Sequence, residues 1–179
     1  MDNGAGCYRR YLDGDETAFD DLLDLYQENL IFFLNRYVHN LAVAEDLAAD
    51  AFLELIVHRH RYNFQTSLKT YLFMIGRSRA LNYLKHEAKF GTVELADASG
   101  AADEKALEEQ ILREEEKWEL HHALDQLPED YRTVLHLAYF DDLSYEEAAK
   151  VMKKNPKQIN NLVYRAKKAL RSALEKMGR

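Results

Sequence analysis

The sequence predicts an all-α fold made of two small helical domains joined by a flexible acidic linker. Two prolines and seven glycines are few for 179 residues, and apolar residues recur at helical spacing through most of the chain. From residue 91 to 102, small and polar residues replace this pattern, which is typical of a tether. We predict a first domain over residues 1–90, a linker with the start of a linker helix over 91–117, and a second domain over 118–179.

Three helices account for the predicted first domain. Asp15 is the candidate N-cap of a long first helix that ends near residue 39. A second helix begins around Ala42 and ends in a basic and aromatic segment, HRHRYNF, residues 58–64. After a polar break, Ser67 is the candidate N-cap of a third helix that runs to about Lys89.

Four helices account for the predicted second domain, and the last two are marked by their N-terminal signals. Helices over 103–124 and 129–140 come first. Ser144, followed three residues later by a glutamate, has the spacing of a capping box. Asn155 is the candidate N-cap of the last helix, with a proline at its first position. The break between these two helices lies at Lys153, which stands in the place of the usual turn glycine.

The last helix has one apolar face and one polar, basic face. Ile159, Leu162 and Val163 recur at helical spacing and are expected to face inward. A helix pair with a basic second helix fits the major groove of duplex DNA, whereas an ordinary antiparallel pair with a solvated basic face is the alternative. The predicted outer face consists of Lys157, Gln158, Asn160, Asn161, Tyr164, Arg165 and Lys168.

Charge is distributed along the chain in alternating blocks. The formal net charge of −7 conceals net charges of −9 over residues 1–57, +6 over 58–90, −6 over 91–117 and +2 over 118–179. Within the last block, residues 150–179 hold ten basic side chains and one acidic side chain. The two basic segments indicate two separate contacts with a polyanion.

Several classes of protein are excluded by what the sequence lacks. Cys7 is the single cysteine, so we expect neither an internal disulfide nor a cysteine-based zinc cluster. No apolar stretch reaches the length of a membrane span and no signal peptide begins the chain, so we expect a cytoplasmic protein. The sequence has no glycine-rich phosphate loop and no nucleophile with an ordered base, so we expect no enzyme and no cofactor.

A metal site is the remaining chemistry to weigh. Glu119 and His122 have the helical spacing of a carboxylate and histidine ligand pair, and His58 and His60 lie elsewhere in the chain. A di-metal helical bundle needs a second Glu-x-x-His pair and further inward-facing glutamates. The sequence contains no second pair, so we predict no metal site.

A set of segments, in this order, resembles a known protein family. The segments are AEDLAADAF at residues 44–52, SLKTYLFMIGRSRALNYLKH at 67–86, LPEDYRTVLHLAYFDDLSYEEAA at 127–149 and YRAKKALR at 164–171. The set resembles the extracytoplasmic-function, or group IV, sigma factors of bacterial RNA polymerase, which belong to the sigma-70 family. The resemblance covers nearly the whole chain. It implies a transcription initiation factor with a region-two domain, a linker and a region-four domain, which binds core RNA polymerase and directs it to specific promoters.

The resemblance further implies that residues 58–89 hold the melted minus-ten element. Single strands are held by stacking bases on aromatic rings beside cations that track the phosphates, and this segment supplies both. Packing of the aromatic rings in the core is the alternative. The implied contacts are a base-capturing loop of Tyr62, Asn63, Phe64 and Gln65, and phosphate-binding side chains at Lys69, Arg77, Arg79 and Lys85.

In the second domain, the family pattern implies that the last helix reads the minus-thirty-five element. Arg165 is the strongest single candidate, because an arginine can bridge two guanine acceptors and asparagines can do the same for adenine. Gln158 belongs to the same face. The implied base readers are Asn160, Asn161, Tyr164 and Arg165, with Lys153, Lys154, Lys157 and Lys168 nearby for phosphates.

The resemblance also implies which partners the protein binds. Asp46 and Asp50, one turn apart on the second helix, form with Phe52 a strip that the resemblance assigns to the clamp helices of the polymerase. A solvated helix face explains the two acidic residues as well. The implied partners are core RNA polymerase, promoter DNA in duplex and melted form, and an anti-sigma factor that clamps both domains. Such a protein works in the cytoplasm, associated with the nucleoid.

A different function remains open at the level of sequence. A dimeric helix-turn-helix regulator that binds duplex DNA without the polymerase explains residues 143–171 equally well. It leaves the basic and aromatic segment at 58–89 unexplained, and it predicts a dimerisation surface.

Overall fold

Every regular element that the structure describes is helical. The computed structural model describes residues 3–91 and 117–178, and the predicted all-α class is confirmed. Backbone packing divides the chain into two compact units, the first containing residues 3–91 and the second containing residues 117–149 and 154–178. Most of the predicted linker lies outside the described residues. None of the described helices is long and apolar enough to cross a membrane.

The first unit contains four helices, one more than predicted. They are α1 (Asn3–Leu12), α2 (Thr17–Val38), α3 (Leu41–Val57) and α4 (Leu68–Phe90). The prediction missed α1 because its glycines weaken helix propensity, so this helix depends on packing. Gly4 lies against Tyr26 of α2, where a Cβ atom would overlap the tyrosine ring.

The helix ends of the first unit follow local signals in the sequence. Gly14, with φ of 103°, ends α1 in a Schellman motif, in which its N–H donates to the Tyr11 carbonyl at 3.1 Å. Ser67 caps α4 as predicted, since its Oγ accepts from the Thr70 N–H at 3.1 Å. Asp15, the predicted cap of the long helix, lies one residue before the cap position and accepts from the Thr17 hydroxyl at 2.6 Å instead.

The core of the first unit forms where α2, α3 and α4 meet. Gly76 of α4 lets that helix approach α2 closely, because a Cβ atom there would lie only 3.0 Å from Leu30 Cδ1. Burial of the apolar side chains of this core is the main source of stability in a chain without disulfides. The largest fully buried side chains of this unit are Tyr8, Leu22, Leu30, Phe33, Leu34, Leu55, Leu68, Leu72 and Phe73.

The second unit contains a helical segment at 117–125, here α5, followed by α6 (Glu129–Leu135), most of α7 (Tyr145–Met152) and α8 (Pro156–Met177). The helix predicted over 129–140 does not continue as an α-helix. A π-helical turn, His136–Phe140, follows α6 directly.

A buried hydrogen bond between two polar side chains coincides with this π-helical turn. His136 Nδ1 lies 2.7 Å from Asp141 Oδ2, and both side chains are nearly fully buried. The Asp141 N–H also donates to the His136 carbonyl at 3.1 Å, which is the five-residue spacing of a π-helix. The wide turn therefore gives the buried carboxyl group of Asp141 a hydrogen-bonding partner from the same segment.

The predicted helix pair at the end of the chain is confirmed in its local detail. Ser144 and Glu147 form a capping box, with the Ser144 N–H donating to Glu147 Oε2 at 2.9 Å. Asn155 and Gln158 form a second capping box at the start of α8. Between the two, Lys153 has φ of 54° and occupies the left-handed position of a Schellman motif. A lysine thus takes the backbone conformation of the missing turn glycine.

Candidate nucleic-acid interface

Buried residues set the rotation of α8 about its axis. Ile159, Val163 and Ala166 are buried against the rest of the second unit, as the apolar spacing predicts for the first two. Leu162, expected to face fully inward, is only half-buried. The opposite face is exposed, with Tyr164 at 73%. Its exposed members are Lys157, Gln158, Asn160, Asn161, Tyr164, Arg165 and Lys168, and we call this set the α8 face.

Gln158 of the α8 face forms part of the capping box, which limits its role in base reading. Its Oε1 accepts from the Asn155 N–H at 2.9 Å, and its own N–H donates to Asn155 Oδ1 at 2.8 Å. A glutamine can bridge both hydrogen-bonding atoms of an adenine only with its oxygen and its amide nitrogen free. The amide NH₂ group of Gln158 is therefore the part of this side chain that we still predict to contact DNA.

The lysines of the turn before α8 differ in their surroundings. Lys153 is exposed in the turn. Lys154 is partly buried and pairs with Asp130 at 3.1 Å, so a phosphate has to compete with a carboxylate for it. Lys157, at the start of α8, is exposed. The turn offers two exposed cations and one paired cation.

In the first unit, the predicted base-capturing loop is partly buried. Tyr62 is only 4% exposed, and its hydroxyl donates to the Thr66 carbonyl at 2.6 Å. Its ring centroid lies 4.6 Å from that of Phe64 and 5.1 Å from that of Tyr71. The expectation that Tyr62 stacks on a base is corrected, because its ring is part of the core.

The tip of the same loop is accessible. Asn63 and Gln65 are exposed, and Asn63 Oδ1 accepts from the Gln65 N–H at 3.1 Å, which closes a tight local turn. Phe64, between them, is half-buried and has φ of 60°. A non-glycine residue in the left-handed region is held there by its surroundings at a cost in free energy.

Two of the predicted phosphate-binding arginines are already paired within the protein. Arg79 lies 2.8 Å from Glu54 Oε2 and 3.7 Å from Asp50, and Arg77 Nε donates to the Tyr37 hydroxyl at 3.2 Å. Arg61 pairs with the same Glu54 at 2.6 Å. Of the predicted phosphate-binding lysines, Lys69 is half-buried and Lys85 is exposed.

Glu54 pairs with two arginines, and both pairings affect the pKa of its carboxyl group. Partial burial alone would raise the pKa of the Glu54 carboxyl, but hydrogen bonds from Arg61 and Arg79 outweigh burial and lower this pKa. Glu54 is therefore charged at neutral pH. It neutralises part of the positive charge that the sequence of residues 58–89 predicts.

The predicted polymerase strip on α3 is only partly exposed. Asp46 and Asp50 are exposed. Phe52 is 3% exposed and packs with its centroid 6.2 Å from that of Phe19. The expectation that Phe52 faces a partner is corrected, because its place on α3 points it into the core.

The sequence analysis missed the contribution of α1 to this region. Tyr8 is fully buried, and its hydroxyl lies 2.9 Å from the Leu55 carbonyl and 3.0 Å from the Arg59 carbonyl. Burial raises the pKa of Tyr8 to about 12. Arg59 donates to the Tyr11 hydroxyl at 3.2 Å. The signal that could have revealed α1 is the pair of tyrosines at helical spacing, followed by Gly14.

His122, from the Glu119 and His122 pair, packs against an aromatic ring. His122 stacks on Trp118, with ring centroids 5.1 Å apart and planes within 4°. Among residues 3–91 and 117–178, no group of three or more histidine, cysteine or acidic side chains could hold a metal ion.

The α8 face and the capped helix pair that carries it define a helix-turn-helix DNA-binding protein. A family model described as Sigma-70 region 2 matches residues 22–90, and one described as Sigma-70, region 4 matches residues 117–170. The RNA polymerase sigma-H factor of Pseudomonas aeruginosa is 32% identical over 171 residues, which cover 90% of this chain and 89% of that protein.

Further relatives agree with these matches. The ECF RNA polymerase sigma factor SigM of Bacillus subtilis is 26% identical over 155 residues, covering 87% of this chain and 94% of that protein. The solved structure of the sigma factor RpoE in complex with the anti-sigma factor NepR, from Bartonella quintana, shares the fold. It has a TM-score of 0.69 at 23% identity, covering 88% of this chain and 96% of that one.

The chain belongs to the extracytoplasmic-function sigma factors of the sigma-70 family, and it is a transcription initiation factor for RNA polymerase. The family is one of non-catalytic transcription factors. A polymerase-independent dimeric regulator is not favoured.

Proposed function

We propose that this chain is a specificity subunit whose two domains make separate promoter contacts and that it has no enzymatic activity of its own. Residues 1–90 bind core polymerase and capture the melted minus-ten strand, and residues 118–179 read the minus-thirty-five duplex. One observation carries the proposal. The α8 face is fully exposed on a helix whose start and rotation are fixed by a capping box and by buried side chains.

The minus-thirty-five element is read by the centre of the α8 face. Asn160, Asn161, Tyr164 and Arg165 are exposed on the first three turns of α8, the part of a recognition helix that meets base edges. The cations that flank them supply phosphate contacts, which fix the position of the helix without carrying sequence information. These cations are Lys153, Lys154, Lys157 and Lys168.

The minus-ten strand is captured at the exposed tip of the loop in the first unit. Asn63 and Gln65 present hydrogen-bonding groups to an unpaired base, and Phe64 supplies an aromatic ring between them. Tyr62 supports that ring from the core side and itself packs against Tyr71. Phosphate contacts come from the exposed Lys85 and the half-buried Lys69. Arg77 and Arg79 add further contacts once their internal partners are displaced.

Core polymerase is bound through the exposed acidic side of α3. Asp46 and Asp50 lie one turn apart on this side, and two exposed carboxylates suit a basic partner surface. Phe52 contributes by fixing the packing of α3. An anti-sigma factor is a further partner, as in the complex of RpoE with NepR. The protein acts in the cytoplasm, at the nucleoid.

Run-off transcription tests this function directly. Core bacterial RNA polymerase is incubated with a genomic promoter library, with and without the full chain, and the transcript starts are sequenced. We expect discrete transcript starts that share two upstream sequence elements. These starts should appear when the chain is the only factor added to core polymerase. Duplex binding by the chain without polymerase, together with no stimulated starts, would instead identify a polymerase-independent regulator.

A further inference from the structure

Helix α1 is fixed to the segment that leads into the base-capturing loop. It lies outside residues 22–90, which match the region-two family model. The buried hydroxyl of Tyr8 nevertheless lies within hydrogen-bonding distance of the Leu55 and Arg59 carbonyls, at the end of α3. The Tyr8 ring also lies 5.8 Å from Tyr62 and 6.2 Å from Phe64, measured between centroids. The helix therefore has a fixed position relative to the loop.

The next residue of α1 places a charge on the loop. The guanidinium carbon of Arg9 lies 4.7 Å from the centroid of the Phe64 ring, within the range of a cation–π contact. Phe64 is the residue held at positive φ at the tip of the loop. The Arg9 guanidinium therefore lies beside the loop that we propose binds the melted strand.

Among the described residues, Arg9 has no acidic partner, unlike Arg10 and Arg61. Within residues 3–91 and 117–178 Arg9 makes no ion pair, whereas Arg10 pairs with Asp15 at 2.7 Å and Asp21 at 3.0 Å. Arg61, after α3, pairs with Glu54 at 2.6 Å. Arg59 also lacks an acidic partner in this part of the chain, but its guanidinium donates to the Tyr11 hydroxyl at 3.2 Å. Arg9 therefore carries an uncompensated positive charge beside Phe64, and its guanidinium keeps several N–H donors for a phosphate.

We propose that Arg9 is a contact for the melted non-template strand. Its guanidinium, held on the ring of Phe64, binds the phosphate next to the base that the loop captures. This inference rests on the proposed function of the loop. It assigns a DNA contact to a helix outside the region-two match.

The test compares three variants of the full chain, each assembled with core RNA polymerase. The probes are a premelted promoter fragment and a duplex fragment of the minus-thirty-five element, both taken from the mapped starts. Arg9→Gln removes the unpaired charge, Arg10→Gln removes an adjacent paired charge from the same helix, and Phe64→Ala removes the ring. Far-UV circular dichroism checks that each variant keeps its helical content.

We expect Arg9→Gln to lower affinity for the premelted fragment by about three- to tenfold, and to reduce the slope of log affinity against log salt by about 0.7, the value for one single-strand phosphate. Arg10→Gln should match the unchanged protein, and all variants should bind the duplex fragment equally.

The outcomes distinguish the proposed phosphate contact of Arg9 from the proposed capture of a base by the loop. Equal affinity of Arg9→Gln and Arg10→Gln for the premelted fragment, while Phe64→Ala binds it weakly, overturns the role of Arg9 and leaves the loop in place. A loss for Arg9→Gln without a change in the salt slope also overturns the phosphate contact. Unchanged binding by Phe64→Ala shows that the loop itself does not capture a base.

Discussion

The two DNA-binding regions differ in how much of each is exposed in the protein alone. On the α8 face, the proposed base readers are exposed, and the buried side of the helix holds them in position. In the first unit, by contrast, Tyr62 is in the core and Arg79 is held by Glu54. Duplex DNA has a fixed groove that a preformed surface can match, whereas a melted strand exists only after the polymerase opens the promoter. We infer that the α8 face is preorganised, and that the single-strand site is completed by exchanging internal partners for DNA.

The largest expected contrast is between two tyrosines, one from each region. Tyr62→Ala should destabilise the first unit by about 3–5 kcal/mol, because it removes a buried aromatic ring. Tyr164→Ala, at a side chain that is 73% exposed, should change stability by less than about 0.5 kcal/mol. Hydrogen exchange of backbone amides in α4 and α8 of the full chain measures each effect in its own unit. Similar protection of α4 in both variants would show that Tyr62 is not a core residue.

The base-reading role of Arg165 gives the next largest effect. Arg165→Ala should weaken binding to the minus-thirty-five duplex by about 1–3 kcal/mol and relax selectivity at one base pair. Arg171→Ala, also exposed but farther along α8, is the matched control. Fluorescence anisotropy with the mapped element and single-base variants measures both quantities. If Arg171→Ala weakened binding as much, Arg165 would contribute only non-specific electrostatic attraction to DNA and would not read a base.

Sequence reasoning succeeded where a local rule decides the structure. Ser67, the Ser144 capping box and Asn155 were found because a cap depends on residues three positions apart. Lys153 shows the limit of such a rule, since the Schellman geometry formed there without the usual glycine.

Sequence reasoning failed where long-range packing decides. Helix α1 is held by Tyr8 against carbonyls about fifty residues away, and nothing in the local pattern encodes those acceptors. The same is true of Glu54, whose pairing with Arg79 places an acid from α3 against a base from α4. For this reason the capped helix starts and the α8 face could be predicted, whereas α1, the burial of Phe52 and the pairing of Arg79 could not.

Releasing the arginines held by Glu54 should strengthen single-strand binding. Glu54→Gln removes the carboxylate charge that pairs with Arg61 and Arg79. We expect affinity for a single-stranded oligonucleotide to rise by about two- to fivefold, and the salt slope to steepen by about 0.7 for each arginine that gains a phosphate. Filter binding at several salt concentrations measures both.

Glu45→Gln is the control for Glu54→Gln, because Glu45 is exposed on the same helix and its loss changes the net charge equally. If both variants gained affinity to the same extent with the same slope, general repulsion of DNA would explain the gain. The ion pairs of Glu54 would then not restrain the site.

A further effect of about 1 kcal/mol or less on affinity or stability concerns backbone strain in the preorganised region. Lys153 has φ of 54° in the Schellman motif between α7 and α8, a position that glycine occupies without steric cost. Lys153→Gly should therefore stabilise the pair of helices α7 and α8 by about 1 kcal/mol, while Lys157→Gly, within α8, should destabilise it by a similar amount. Hydrogen exchange of α8 amides gives the sign of each change. Because Lys153→Gly keeps the geometry of the turn, affinity for the minus-thirty-five duplex should fall only by the contribution of one phosphate contact. A larger loss would mean that the α8 face depends on the lysine to hold its orientation and is less preorganised than its caps indicate.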